Sequence, residues 1–168
     1  MVAKDVRKNL NLFVDGRGFA AEVEEVNAPK LTQKNEDFRG GGMNAPIEVT
    51  LGMEKLNADF TMVSYNKDVL ALFGVTEGNT VPFILREALE SFDGKVTAVV
   101  HTMRGKIKEI DPGASKPGDL PKLKVSLALH YYKLQHGDSV IHEIDVLNMT
   151  QIINGSDTLA AIRKAIGM

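Results

Sequence analysis

The sequence predicts a mainly β fold, and three observations carry that prediction. Residues 122–131 alternate without a break, with Leu123, Val125, Leu127, Leu129 and Tyr131 on one side and Lys122, Lys124, Ser126, Ala128 and His130 on the other. A period of two is that of a strand with one buried face. Residues 47–54 repeat the pattern, setting Ile47, Val49, Leu51 and Met53 against Glu48, Thr50, Gly52 and Glu54, so one face of the sheet should be packed and the other wet. Asp-Gly pairs at 15–16 and 93–94 supply the positive φ that tight hairpin turns require. No signal of equal clarity points to chemistry. The chain reads first as a surface-building protein whose long sheets are its product.

Each element follows from local chemistry. Residues 11–14, the turn Asp15-Gly16-Arg17-Gly18 and residues 19–26 form a hairpin, which Pro29 ends. From 30 to 46 the chain is polar and turn-rich, with Lys34, Glu36, Asp37 and Arg39 running into Gly40, Gly41 and Gly42. A loop that long in a compact domain is usually functional or disordered, which makes this one a candidate arm that orders against a neighbour. Residues 47–53 and 58–65 are strands, the second placing Ala58, Phe60 and Met62 together. A short helix follows, capped by Asn66, striped by Val69, Leu70, Leu72 and Phe73, and ended by Gly74. Residues 81–90 contain good helix formers, but Pro82 favours a strand. Residues 96–110 form a long strand broken or bulged at Gly105. A Pro/Gly-rich connector at 111–121, a strand at 122–134, a turn at His136-Gly137-Asp138 and a strand at 140–147 come next. A last helix is capped by Ser156 or Asp157, striped by Leu159, Ile162 and Ile166, and ended by Gly167. There is no internal repeat or linker, so residues 1–168 are expected to make one domain with an arm at about 30–46.

Composition narrows the function. At 168 residues the chain suits one domain that buries roughly 70% of its unfolded surface. Zero Cys removes disulfides, thiolate nucleophiles and Cys-ligated zinc, and 0 Trp with 6% aromatics gives an aliphatic core. A formal net charge of -2 leaves no basic footprint for tight nucleic-acid binding. The first ten residues carry Lys4, Asp5, Arg7 and Lys8 without an apolar signal core, and no run approaches the length of a membrane helix, so folding in a cytoplasm is expected.

Candidate sites are weak. Gly16-Arg17-Gly18-Phe19-Ala20-Ala21 fits the relaxed dinucleotide fingerprint. However, Glu22, Glu24 and Glu25 would open the helix meant to receive a pyrophosphate, and Pro29 would cut it short. The triple glycine at 40–42 lacks the Gly-Lys-Ser/Thr of a phosphate loop. Of the four histidines, His130 is expected roughly opposite His142 or Glu143 across the 136–138 turn, which gives too few ligands for zinc. His142-Glu143 also lacks the second His of a zinc protease helix. Glu48, Glu54 and Asp59 fall on polar strand faces, like ordinary solvated carboxylates. The sequons at Asn148 and Asn154 carry no meaning without a secretory signal. No catalytic residue, cofactor or metal is expected.

Taken together, the short motifs resemble the major tail tube proteins of contractile-tailed bacteriophages and of the related R-type pyocins. The resemblance runs from about Leu10 to the C-terminus. It is carried by Asn11-Leu12-Phe13-Val14-Asp15-Gly16, Pro29-Lys30-Leu31, Arg39 with Gly41-Gly42-Met43, and Leu51-Gly52-Met53-Glu54. The more distinctive stretches are Arg104-Gly105, Lys108-Glu109-Ile110-Asp111-Pro112-Gly113, Lys116-Pro117-Gly118, Tyr131-Tyr132-Lys133-Leu134, Glu143-Ile144-Asp145 and Asn154-Gly155 with Asp157. At Ala114-Ser115 similar proteins often carry an acidic residue and a Trp, so this chain departs from the pattern there.

The resemblance implies a β-sandwich or barrel-like subunit, not an enzyme, with one short central and one C-terminal helix. It also implies hexameric rings stacked into a tube inside a contractile sheath, which crosses the target envelope and conducts DNA in a phage or ions in a pyocin. Implied partners are further copies of the chain, the tail sheath protein, a baseplate hub, a tube terminator and a tape measure protein in the lumen. DNA passes without specific binding, and assembly takes place in the host cytoplasm before the tail joins the virion. Lys34, Glu36, Asp37, Arg39, Gly41, Gly42 and Met43 are the expected arm residues. Glu48, Thr50, Glu54, Asp59 and Thr61 are expected on the pore face as the polar side of adjacent strands, and Arg163 and Lys164 are expected to point outward to the sheath. The competing class is a monomeric β-barrel binding module or small enzyme with a pocket in place of a pore.

Overall fold

The computed structural model describes residues 2–74 and 76–168; Met1 and Val75 lie outside the described residues. The first strand, β1 (Val6–Val14), turns through Asp15 and Gly16 into the two-residue β2 (Arg17–Gly18). Both turn residues have positive φ, 50° and 82°, as a type I′ hairpin demands. The chain then leaves β1. Phe19 drops into the core, and β3 (Val23–Asn27) pairs with β6 (Leu56–Met62), so the hairpin expected over 11–26 stops at Gly18. Between β3 and β6 lie β4 (Gln33–Phe38) and β5 (Ile47–Met53), which pair only with each other.

The remaining strands run antiparallel: β7 (Val81–Glu90), β8 (Val96–Asp111), β9 (Leu123–His136), β10 (Ser139–Asp145), β11 (Thr150–Ile153) and β12 (Ser156–Asp157). The ambiguous stretch at 81–90 is therefore a strand. Ten strands form one hydrogen-bonded sheet, in the order β12-β11-β10-β9-β8-β7-β1-β2, with β6 and β3 branching from β9. The branch is possible because β9 is long. Leu123 to Leu129 pair with β6, Tyr131 to His136 pair with β10, and its whole other edge is held by β8.

That sheet is folded over on itself. Phe83 on β7 and Phe60 on β6 are three strands apart, which in a flat sheet means about 14 Å. Their ring centroids are 6.4 Å apart. One layer, with Leu12, Val14, Phe83, Leu85, Met103, Tyr132 and Ile144, therefore faces the other, with Phe60, Met62, Ile107, Val125 and Leu127, across a single aliphatic core. The crease falls where β8 and β9 lose register, between Arg104 and Gly105 and again between Ile107 and Glu109. Strands that pass from one packed layer to another commonly turn the corner at such bulges.

Two helices complete the chain. In α1 (Lys67–Leu70) the Asn66 side chain accepts from Asp68 N at 2.9 Å, Val69 is fully buried, and Gly74 has φ 76°. Leu70 and Leu72 pack on the core, while Phe73 is 56% exposed. The C-terminal α2 (Ala160–Ala165) is held differently from the expected apolar stripe: it buries no residue, and Ile162 and Ile166 face outward.

Gly105 is needed for a steric reason. A Cβ built there would stand 2.1 Å from the Ala128 carbonyl oxygen and 2.8 Å from Leu129 Cα, both backbone atoms that cannot swing aside. Gly105→Ala is expected to cost about 3 kcal/mol, the upper range for an overpacked core, as a lowered urea midpoint. Gly41→Ala, at a site with open space, is the reference. Equal midpoints for the two variants would contradict the crease.

Candidate assembly interface

The expected arm is a β-ribbon. All of β4 is exposed, and of β5 only Met53 is partly covered, against the core, which corrects two expectations: part of the loop at 30–46 is a strand, and of residues 47–53 only Met53 packs within the subunit. Cross-strand partners share a face. Phe38 lies opposite Ile47 and Glu36 opposite Val49 on one side, with Asp37 opposite Glu48 and Asn35 opposite Thr50 on the other. Phe38 is 55% and Ile47 53% exposed. The tip is tied by Arg39 Nε to the Met43 carbonyl at 3.2 Å and by Met43 N to the Gly40 carbonyl at 3.3 Å, with Gly42 at φ 84°. Lys34 sits at the register shift near the base. A lone two-stranded ribbon with an apolar side is at best marginally stable in water.

The five residues expected on one polar face do not share it. Because β5 and β6 do not pair, Glu48 and Thr50 lie on the ribbon and Glu54 at its root, bonded through its N–H to Thr32 O at 2.8 Å. Asp59 and Thr61 lie on β6 in the main sheet. There, registration builds two rows across four strands: Glu25, Thr61, Lys124, Asp111, and Asn27, Asp59, Ser126, Glu109. Asn27 Nδ2 donates to Asp59 Oδ1 at 2.8 Å and to Glu25 Oε1 at 3.3 Å, which cross-links the rows. The carboxylates of Glu25, Asp59, Glu109 and Asp111 share this surface with the Lys124 ammonium and with Lys108, whose Nζ donates to Asn57 Oδ1 at 3.1 Å. Glu25, Asn27, Glu109 and Asp111 were missed, although their partners' alternation in residues 58–62 and 122–131 pointed at them.

Arg163 does not point outward. Its Nη2 donates to Asp157 Oδ2 at 2.8 Å and its Nη1 to the Met149 carbonyl at 3.0 Å, clamping α2 to the β10–β11 turn. The Arg163 hydrogen bond holds the Asp157 carboxyl below its ordinary range. Lys164 is exposed.

The histidines also fall differently from expectation. His142 pairs with Leu134, Glu143 with Lys133, and the His130 carbonyl accepts from Val146 N at 2.9 Å, so His130 is not opposite His142 or Glu143. Among the described residues no group of three or more His, Cys, Asp or Glu could hold a metal ion. The Gly16–Ala21 fingerprint makes a hairpin turn and the buried Phe19, with no helix after it.

One polar cluster is buried. On the core side of three neighbouring strands, His101 Nε2 stands 2.7 Å from Glu87 Oε1, and His101 Nδ1 stands 2.8 Å from the Tyr132 hydroxyl. An ionised carboxylate only accepts, so the neutral ring donates from Nε2, and Tyr132 O–H donates to Nδ1. Arg7 on β1 forms an ion pair with the other oxygen of Glu87. Burial pushes the Tyr132 hydroxyl up to about 12, which disqualifies it as a nucleophile at neutral pH. The cluster joins β1, β7, β8 and β9.

Among the described residues no helix is long and apolar enough to cross a membrane. Residues 5–167 match the family described as phage tail tube protein FII. The chain is 33% identical over 165 residues to the tail tube protein of Escherichia phage P2, covering 96% of each chain. It is 34% identical over 145 residues to the major tail tube protein of Serratia phage KSP20, covering 82% of this chain and 80% of that one.

The buried cluster also sets a pH response. Desolvation holds His101 below its ordinary value of 6.5, against the pull of Glu87. The unfolded chain therefore takes up a proton that the folded chain resists, and stability present above that value is lost as pH falls through it. The urea midpoint is expected to drop between about pH 8 and pH 5, and His101→Gln should flatten the drop. A variant that falls as steeply as the wild type would contradict this role.

Proposed function

The chain belongs to the phage tail tube protein family, a structural component of the virion tail and not an enzyme, and on that premise we propose how its copies make a conduit. Six copies close into a ring, and rings stack into the inner tube of a contractile tail. The observation that carries this reading is the pair of polar rows across β3, β6, β9 and the second half of β8. That four-stranded patch is wet on one face and greasy on the other, and its two outer strands are open. No ladder among the described residues covers the far edge of β3, and only an isolated bridge from Phe73 to Ile107 touches the far edge of β8 beyond Gly105.

Open edges of that kind invite another strand. Joining the β3 edge of one copy to the β8 edge of the next makes a heterologous contact that closes into a ring, and a closed barrel has no edges left. The polar rows then line the lumen. Asp59 and Thr61 keep the pore-facing role, Glu25, Asn27, Ser126, Glu109 and Asp111 join them, and Glu48, Thr50 and Glu54 go with the arm. A wall of mixed charge, in which Glu25, Asp59, Glu109 and Asp111 offset the lysines beside them, suits DNA passage. A basic wall would hold the phosphates by counterion release, whereas this one lets them slide.

The ribbon β4–β5 reaches out of this patch and docks on an adjacent copy. Its apolar side, Phe38, Ile47 and Val49, gains cover there, and the facing carboxylates Asp37 and Glu48, unfavourable as direct neighbours, gain a cationic partner. The contractile sheath surrounds the ring on the side away from the lumen, where Lys164 and the outward Ile162 and Ile166 offer a contact. A tape measure protein occupies the lumen before DNA does, and assembly runs in the host cytoplasm.

Replacing Phe38 and Ile47 together by Glu is expected to abolish tubes seen by negative-stain microscopy. The far-ultraviolet circular dichroism and urea midpoint of the subunit should stay as in the wild type, because Phe38 and Ile47 contribute nothing to the core. Normal tubes from that variant would contradict the arm's role.

A further inference from the structure

Two surface features at opposite ends of β8 are complementary. Just before β8, the hairpin at 91–95 is tightly tied: Ser91 N donates to Lys95 O at 2.9 Å, Gly94 N to Ser91 O at 2.9 Å, and Lys95 N to Asp93 Oδ1 at 3.1 Å. Phe92 N is bonded to the Ala3 carbonyl at 3.0 Å, yet the residue is 80% exposed. The backbone that carries the ring is therefore tied down, and the ring is displayed to solvent.

Just after β8, the connector at 112–121 borders an open hollow of about 400 Å³ whose apolar wall is Tyr65, Ala114, Pro117 and Pro121. It is preformed. Tyr65 donates its hydroxyl proton to the Pro112 carbonyl at 2.8 Å, and Gly113 N donates to Asp111 Oδ1 at 2.9 Å. Gly113 has φ 68°, and a Cβ there would stand 2.9 Å from the Lys122 carbonyl, so the loop is pressed against the root of β9.

We propose that the Phe92 ring of one copy seats in the cavity beside Tyr65, Pro117 and Pro121 of the next copy along the tube. This rests on the tube reading and adds which surfaces meet. Three observations support it. An aromatic ring and a wall of tyrosine, alanine and proline are chemically matched, and the backbone on both sides is tied by hydrogen bonds before contact, which lowers the entropic cost of docking. Asp93 and Lys95 flank the ring while Lys116 and Asp119 flank the cavity, one charge of each sign on each side, so docking can set opposite charges together. Finally, β8 separates knob and hole by fifteen steps, about 50 Å of extended chain before its bulges bend it. A knob that cannot reach its own hole, repeated head to tail, generates an open-ended stack.

The chain has no cysteine, which makes the test clean. Phe92→Cys and Ser115→Cys are combined in one chain, assembled above the concentration that tubes require, and oxidised. Non-reducing electrophoresis should show a ladder of dimers, trimers and longer species, while each single variant should stay monomeric, since a disulfide needs its Cα atoms within about 7 Å. Tubes without a ladder would overturn the docking and leave the tube reading standing. Dimers from Phe92→Cys alone would also overturn it, because they would mean a two-fold contact between identical tips. Phe92→Ser should raise the concentration needed for tubes roughly tenfold, as for loss of an interface anchor, with an unchanged urea midpoint; an unchanged threshold would overturn the proposal. Wild-type protein that forms neither rings nor tubes would overturn the tube reading and this inference with it.

Discussion

The close approach of Gly105 to the backbone of Ala128 and Leu129 governs this fold. A sheet with one greasy face must cover it, and neither helix of this chain is long enough to do so, at four and six residues. The chain instead creases its sheet so that the greasy face covers itself. Two strands, β8 and β9, run through both layers, and they can turn only if their backbones come nearer at the corner than any side chain allows. The contact between Phe60 and Phe83 across the core is the consequence.

Self-covering leaves a particular kind of exterior. Every residue opposite a core position on β6, β9 and the end of β8 is forced outward in register, and this collects Asp59, Thr61, Ser126, Glu109 and their neighbours into rows. The crease also strips β8 of its β7 partner beyond Gly105, because β7 stays with the first layer. A wet face bounded by open strand edges follows from the way the core is closed. In the proposed ring those edges are the joints, so the same corner that stabilises the subunit makes it incomplete alone.

Much of this was legible in the sequence. Unbroken alternation at 122–131 identified the central strand, Gly105 announced the bulge in the strand at 96–110, and the Asp-Gly pairs placed two hairpins, because each signal is local and sterically strict. Two of the failures depended on partners distant in the chain. Residues 47–53 alternate like a half-buried strand, yet the apolar side is bare in the subunit, since periodicity records that a face is meant to be covered and not by which molecule. Grouping Glu48 and Thr50 with Asp59 assumed that sequential strands pair, whereas the chain changes sheets at Glu54-Lys55. The β11–β12 hairpin was missed although Asn154 and Gly155, at φ 50° and 82°, carry its turn signal plainly. Arg163 was expected to face solvent from helical position alone, but a carboxylate six residues earlier captures it.

The most direct test of the account is a helical reconstruction by electron cryomicroscopy of tubes grown from the purified chain. The expected map shows a continuous inner barrel in which β3 of one copy hydrogen-bonds to the Gly105–Asp111 half of β8 of the next, with Asp59, Thr61 and Glu109 lining the channel. A map that places those side chains on the outer surface, or leaves both strand edges unpaired between copies, would contradict it.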